Sequence, residues 1–398
     1  VMEKIGQLNQ YSSFFNVTGP RPTSLQDSIK YEQIKRGLVG SVLNVTGVKD
    51  VKAMQALAIE ESRLKIPLIF GLDVIHGFKT INPIPIAESA SWNLDLIEKS
   101  ARMAAKEAAS AGINWTFAPM VDISRDARWG RVMESSGEDP YLGSKIAVSR
   151  INGYQGNDLK DPLTIASCAK HFAAYGFAES GKDYNTVDIG TQTLHNIILP
   201  PFKASVNANV ATFMSSFNEI NGIPATGSEF LQRSMLKEKW NYKGFIVSDW
   251  GSIEEMVAHG YSKDLKSAAL TAIKAGSDMD MMSSAYINYL KNLLDEKKIS
   301  IDIIDDAVKR ILSVKYDLGL FSNPFLYCND VREEENIFND TNRALSLEIA
   351  QESIVLLKND AKILPLKKSG LKIALLGGLA IDKDSPLGNW RAKAPKNS

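Results

Sequence analysis

Gly244-Phe245-Ile246-Val247-Ser248-Asp249-Trp250-Gly251-Ser252 joins a short apolar run to a carboxylate, an indole and the start of a helix. Phe245 to Val247 reads as a buried parallel strand. In a barrel of alternating strands and helices, chemistry is placed at the C-terminal ends of the strands. An Asp beside a Trp at that point suits a sugar carbon, with the ring stacking on the sugar and the carboxylate attacking it. The plain alternative is that Asp249 caps the next helix. Ser252-Ile-Glu-Glu255 already reads as a capping box with Ser252 as N-cap, which leaves Asp249 without that duty.

Strand-like and helix-like segments alternate on either side of this stretch. Leu38–Asn44, Pro67–Leu72, Asn114–Ala118, Thr164–Ala169, Ala211–Ser215, Gly244–Ser248 and Ser277–Met281 are the expected strands. Amphipathic segments such as Leu94–Ala111 and Leu265–Ala275 lie between them. Helical crossovers between short apolar strands imply a parallel sheet. Seven or eight such units favour closure, so the expected fold is α/β, a TIM-like (β/α)8 barrel over residues 1–321, closed by the helix Ile301–Leu318. Residues 322–345 are polar and charged and read as a linker. A helix (Arg343–Lys358) and a strand (Lys372–Gly377) then read as the beginning of an incomplete α/β sandwich domain over 346–398. The expectation is a fragment of a longer protein.

Composition removes several function classes. Of 398 residues, 46 are Lys or Arg and 46 are Asp or Glu, with no long basic run, so nothing favours nucleic-acid binding. The longest apolar stretches are strand-sized, so no membrane span is expected. Two cysteines, Cys168 and Cys328, imply no disulfide framework. No cofactor is expected, and the oligomeric state stays open.

If the barrel holds, polar residues gather on one rim. Asp73 follows one strand, Lys170 and His171 another, and Met214 to Asn218 a third. The loop after Asn114–Ala118 carries Asp122, Arg125, Asp126, Arg128 and Arg131. Fixed carboxylates and cations of this kind suit a polyhydroxylated ligand. Each also has a structural alternative: Asp73 could tie two loops through an Arg, and Met214 could simply fill core. Glycoside chemistry needs two carboxylates, and Asp249 can be one. Glu134, Glu138, Glu179 and Asp183 are candidates for the second by loop proximity only.

Several segments, in order, resemble glycoside hydrolase family 3, and within it the periplasmic bacterial β-glucosidases. They are Gly71-Leu-Asp-Val-Ile-His-Gly77, Ala118-Pro-Met-Val-Asp-Ile-Ser-Arg-Asp-Ala-Arg-Trp-Gly-Arg131, Glu134-Ser-Ser-Gly-Glu-Asp-Pro140, Lys170-His-Phe-Ala-Ala-Tyr-Gly176 with Asp183-Tyr-Asn185, and Gly244-Phe-Ile-Val-Ser-Asp-Trp250. The resemblance implies a retaining exo-β-glucosidase with Asp249 as nucleophile. It implies that Asp73, Arg131, Lys170 and His171 bind the non-reducing sugar, with Arg131 favoured over Arg128. Trp250 and Met214 would line the same subsite, and Phe217, where many members carry Tyr, would be only a wall. The acid/base Glu is expected from the second domain, beyond residue 398. A periplasmic or secreted location and a small carbohydrate substrate are implied too. The alternatives are a β-xylosidase, a carbohydrate-binding barrel without full catalysis, and an aldolase using a Schiff base on Lys170.

Overall fold

The computed structural model describes residues 1–12, 27–383 and 385–390. Eight parallel strands follow one another in chain order: β1 (Asn9–Ser12), β2 (Ser41–Leu43), β3 (Ile69–Leu72), β4 (Trp115–Thr116), β5 (Cys168–Phe172), β6 (Thr212–Ser215), β7 (Phe245–Val247) and β8 (Asp280–Met281). β8, β1, β2, β3 and β4 form one continuous sheet, and β5, β6 and β7 another. Isolated parallel bridges join the free edges, Trp115 with Ala166 on one side and Val247 with Met279 on the other. The strands thus follow a single ring order in which two of the eight contacts are seams rather than ladders.

The ring interior is filled from both sheets. Trp115 on β4 meets Phe117 at 4.7 Å and Phe245 on β7 at 5.2 Å, ring centre to ring centre. Its indole N–H donates to Thr212 Oγ1 on β6 at 2.8 Å, so one side chain spans three strands. Gly71 in β3 answers this crowding, because a Cβ there would stand 2.8 Å from the Phe117 ring. Helices cover the outside. Leu94–Ser110 is capped by Asn93, whose side chain accepts from Leu96 N, and it buries Ile97, Ala101, Ala104, Ala105 and Ala108 at helical spacing.

The observed strands are shorter than expected, and β1 lies where no strand is expected. Lys170 and His171 sit inside β5 rather than after it. The β5–β6 register shifts between Ala169 and Phe172, so neighbouring residues are released from strict alternation and both side chains reach the rim. Residues 322–345 carry a helix, Asp330–Asn336, and the start of another, Asp340–Glu352. Glu107 fastens this segment to the ring. Its buried carboxylate accepts from Lys79 N, Thr80 N and Thr80 Oγ1 at 2.6–2.8 Å, and from Phe338 N and Asn342 Nδ2 at 2.8 Å.

The strand expected over Lys372–Gly377 is not formed. Among the described residues it has no partner strand, and a lone strand cannot satisfy its backbone. The apolar side chains of this stretch stand in solvent, Leu376 at 86% exposure. The chain then returns to the ring, where the Leu387 carbonyl lies 2.8 Å from His76 Nε2. Residues 391–398, the end of the expected second domain, lie outside the described residues.

Candidate active site

A pocket of about 600 Å3, part of it open to solvent, lies at the C-terminal ends of the strands. Asp73, Arg131, Lys170, Met214, Phe217, Asp249 and Trp250 line it, and so do Tyr184, Glu255 and Trp390. Seven of the eight residues singled out in the sequence therefore face one cavity. The eighth, His171, lies behind Asp249, its Nε2 at 3.5 Å from Asp249 Oδ2.

Both cations of the site are fixed by carboxylates. Arg131 donates to Glu134 through two nitrogens, at 2.7 and 3.0 Å, and both side chains are buried. Burial by itself disfavours the guanidinium, but Glu134 outweighs it and holds Arg131 well above its ordinary value. Lys170 Nζ donates to Asp73 Oδ1 at 3.2 Å and lies 3.9 Å from Glu134 Oε2. The adjacent cation that would make a Lys-His pair costly does not arise. Burial, with Arg131 and Lys170 nearby, holds His171 well below its ordinary value, so the ring is neutral. Its backbone N and Nδ1 each lie 2.8 Å from Asp122 Oδ2. With Nδ1 donating to Asp122, Nε2 presents a lone pair.

Asp249 is 7% exposed. Burial raises its carboxyl to about 6, while Arg131 and Lys170 act in the opposite direction. Oδ1 accepts from Trp250 N at 2.7 Å, but among the described residues neither Oδ2 nor the facing His171 Nε2 has a hydrogen-bond partner. Two enclosed acceptors thus converge without a donor, at a cost that a ligand hydroxyl would relieve.

The capping box expected at Ser252-Ile-Glu-Glu255 does not form. Gly251, at φ 68°, occupies the N-cap position without a side-chain bond, a left-handed conformation that suits glycine. Ser252 is already inside the helix, and its hydroxyl lies 2.9 Å from Thr226 Oγ1. Glu255 is consequently free to face the pocket. Arg128, by contrast, stays on the surface and pairs with Asp126. Trp390 is a pocket residue that sequence reasoning missed. It arrives with the returning segment and stacks 5.8 Å from the Arg131 guanidinium. Its only signal was an aromatic in a polar tail.

A parallel-stranded ring thus gathers a buried carboxylate, fixed cations and aromatic walls at its strand ends, the face on which barrel folds place their binding residues. Residues 1–314 match the model described as "Glycosyl hydrolase family 3 N terminal domain". The chain is 41% identical, over all its length and 51% of the relative's, to a protein named "Periplasmic beta-glucosidase" from Salmonella typhimurium. It is 32% identical to a "Putative beta-xylosidase" of Formosa agariphila, over 96% of this chain and 52% of that one. A crystal structure of β-glucosidase from Listeria innocua in complex with isofagomine superposes with a TM-score of 0.94 at 40% identity, covering this chain fully and 55% of that chain. The chain belongs to glycosyl hydrolase family 3. It spans about half the length of the curated relatives it matches.

Proposed function

We propose that the protein is a retaining exo-β-glucosidase and that Asp249 is its nucleophile. An Asp249 oxygen attacks the anomeric carbon as the bond from that carbon to the leaving oxygen breaks. The leaving oxygen takes the electron pair and a proton. Water then gives a proton back to the group that supplied the first one, attacks the same carbon, frees the sugar and returns the carboxylate. Asp73, Lys170, Arg131 and His171 receive the hydroxyls of the non-reducing glucose, with Trp250, Met214 and Phe217 as walls. The proton donor is a Glu of the sandwich domain that residues 346–398 would begin, in keeping with the family resemblance. A periplasmic location accords with the name of the Salmonella relative, and among the described residues no helix is long and apolar enough to cross a membrane.

The observation that supports this reading most strongly is the pair of enclosed, donorless atoms Asp249 Oδ2 and His171 Nε2 beside the fixed cations. The test is covalent trapping. Dinitrophenyl 2-deoxy-2-fluoro-β-glucoside has a leaving group that needs no proton, and its fluorine slows release of the bound sugar. One fluoroglucosyl mass is expected on the peptide carrying Asp249, and none in Asp249→Asn. A label elsewhere, or no label, would overturn the assignment. The Formosa relative's name supports β-xylosidase as a second reading. Faster labelling by the corresponding fluoroxyloside would favour it.

A further inference from the structure

Glu255 stands on the first turn of the helix Ser252–Ala258, six residues beyond Asp249, and lines the same pocket. Its Oε2 is enclosed and has no donor among the described residues. The neighbouring Asp249, nine-tenths buried, likewise presents an unpartnered oxygen to the cavity. A carboxylate oxygen removed from water without a donor is costly until a ligand supplies one.

The surroundings of the two carboxylates differ. Arg131, Lys170 and Asp73 all act on Asp249. Burial first, and then Asp249, Glu254 and Asp183, push the Glu255 carboxyl up to about 7, with no cation among its influences. Tyr184, itself influenced by both Asp249 and Glu255, lines the same pocket. In ring order Asp73, Arg131 and Lys170 belong to β3, β4 and β5, whereas Glu255 follows Asp249 beyond β7, and among the described residues no ion pair joins it to those cations. We take the place facing Glu255 as that of the departing group.

We propose that Glu255 selects the leaving group, its carboxylate accepting a hydroxyl of a neutral leaving sugar on the far side of Asp249 from the Asp73–Lys170 pair. The assignment rests on the glucosidase reading above. It gives the site a chemical preference: hydroxylated, uncharged leaving groups are favoured, and those bearing a carboxylate are repelled by Asp249, Glu254, Asp183 and Glu255 together.

Calorimetric titration with glucose and with cellobiose tests this in an Asp249→Asn background, where the disaccharide stays intact. Glucose fills only the cradle, whereas cellobiose also reaches Glu255. Adding Glu255→Ala should weaken cellobiose about tenfold relative to glucose, the scale of one hydrogen bond to a charged group. Glu255→Gln keeps a carbonyl acceptor and should recover part of the loss; it also carries the test if the Ala variant melts early. Cellobiose carrying a carboxylate on its reducing sugar should bind more weakly than cellobiose, and the Gln variant should narrow that gap. Equal weakening of glucose and cellobiose, or an unchanged ratio, would overturn the role of Glu255. Failure of glucose itself to bind before Glu255 is changed would overturn the glucosidase reading and, with it, this one.

Discussion

Burial leaves Asp249 with a carboxyl raised to about 6, and this single residue couples stability to reactivity. Its folded-state value lies above the ordinary 3.8, so the native state binds more protons than the unfolded one between these values. Stability from this group is therefore lost as pH rises through about 4 to 6. Asp249→Asn, which keeps the acceptor for Trp250 N, should raise the melting temperature at pH 7. The gain should be about 2–3 kcal/mol by linkage and should shrink toward pH 4. Melting curves of the two proteins across this range check it, and a gain that does not depend on pH would refute it. The same titration sets the reaction's acid limb, since the nucleophile must be ionised. kcat/KM of the whole enzyme should fall below about pH 6, as a rate profile on an aryl glucoside would show.

Among the elements, two buried groups lock helices to the ring. Glu107 collects five donors from Lys79, Thr80, Phe338 and Asn342. Glu107→Ala withdraws the acceptor from all of them at once and should cost about 3 kcal/mol or more, read as a lowered denaturation midpoint. Lys315, on the helix Ile301–Asp317, donates at 2.6 Å to Gln7 Oε1 at the end of the helix Met2–Gln7. Burial lowers its amine to about 7 from the ordinary 10.5. Between these values the unfolded chain binds more protons, so this group makes stability rise with pH from about 7 to 10. Lys315→Met should flatten that rise, by about 2 kcal/mol between pH 7 and 9, in denaturant titrations at the two pH values.

The apolar strands were legible because β3 and β7 are buried on both faces and read as continuous runs. β1 was not, because Asn9-Gln-Tyr-Ser12 is polar. Asn9 Nδ2 is satisfied by Leu38 O and Gln10 Nε2 by Ser41 Oγ, partners supplied only by the neighbouring strand and its approach. Most rim residues could be placed because each follows, or lies within, a recognisable strand; Arg131 was singled out by the family resemblance alone. Glu255 was hidden by a local rule, since Ser-x-x-Glu before an apolar run satisfies the capping pattern on paper. What decided otherwise was the left-handed turn at Gly251, which a linear pattern does not reveal. Trp390 was invisible because nothing local ties a residue so late in the chain to Arg131.

At the scale of the whole molecule, the site belongs to neither sheet alone. Asp73 follows β3, and Arg131 lies in the loop after β4, so both come from the five-stranded sheet. Lys170, His171, Met214, Phe217, Asp249 and Trp250 lie within or just after strands of the three-stranded sheet. Two isolated bridges, Trp115 with Ala166 and Met120 with Lys170, join the strands where these two groups meet, and the Lys170–Asp73 ion pair spans the same gap above. A bound sugar that touches Asp73 and Asp249 together is therefore a clasp across that seam. Recognition and architectural integrity become one equilibrium: whatever loosens the seam lowers affinity by the same free energy that the ligand spends in holding it shut.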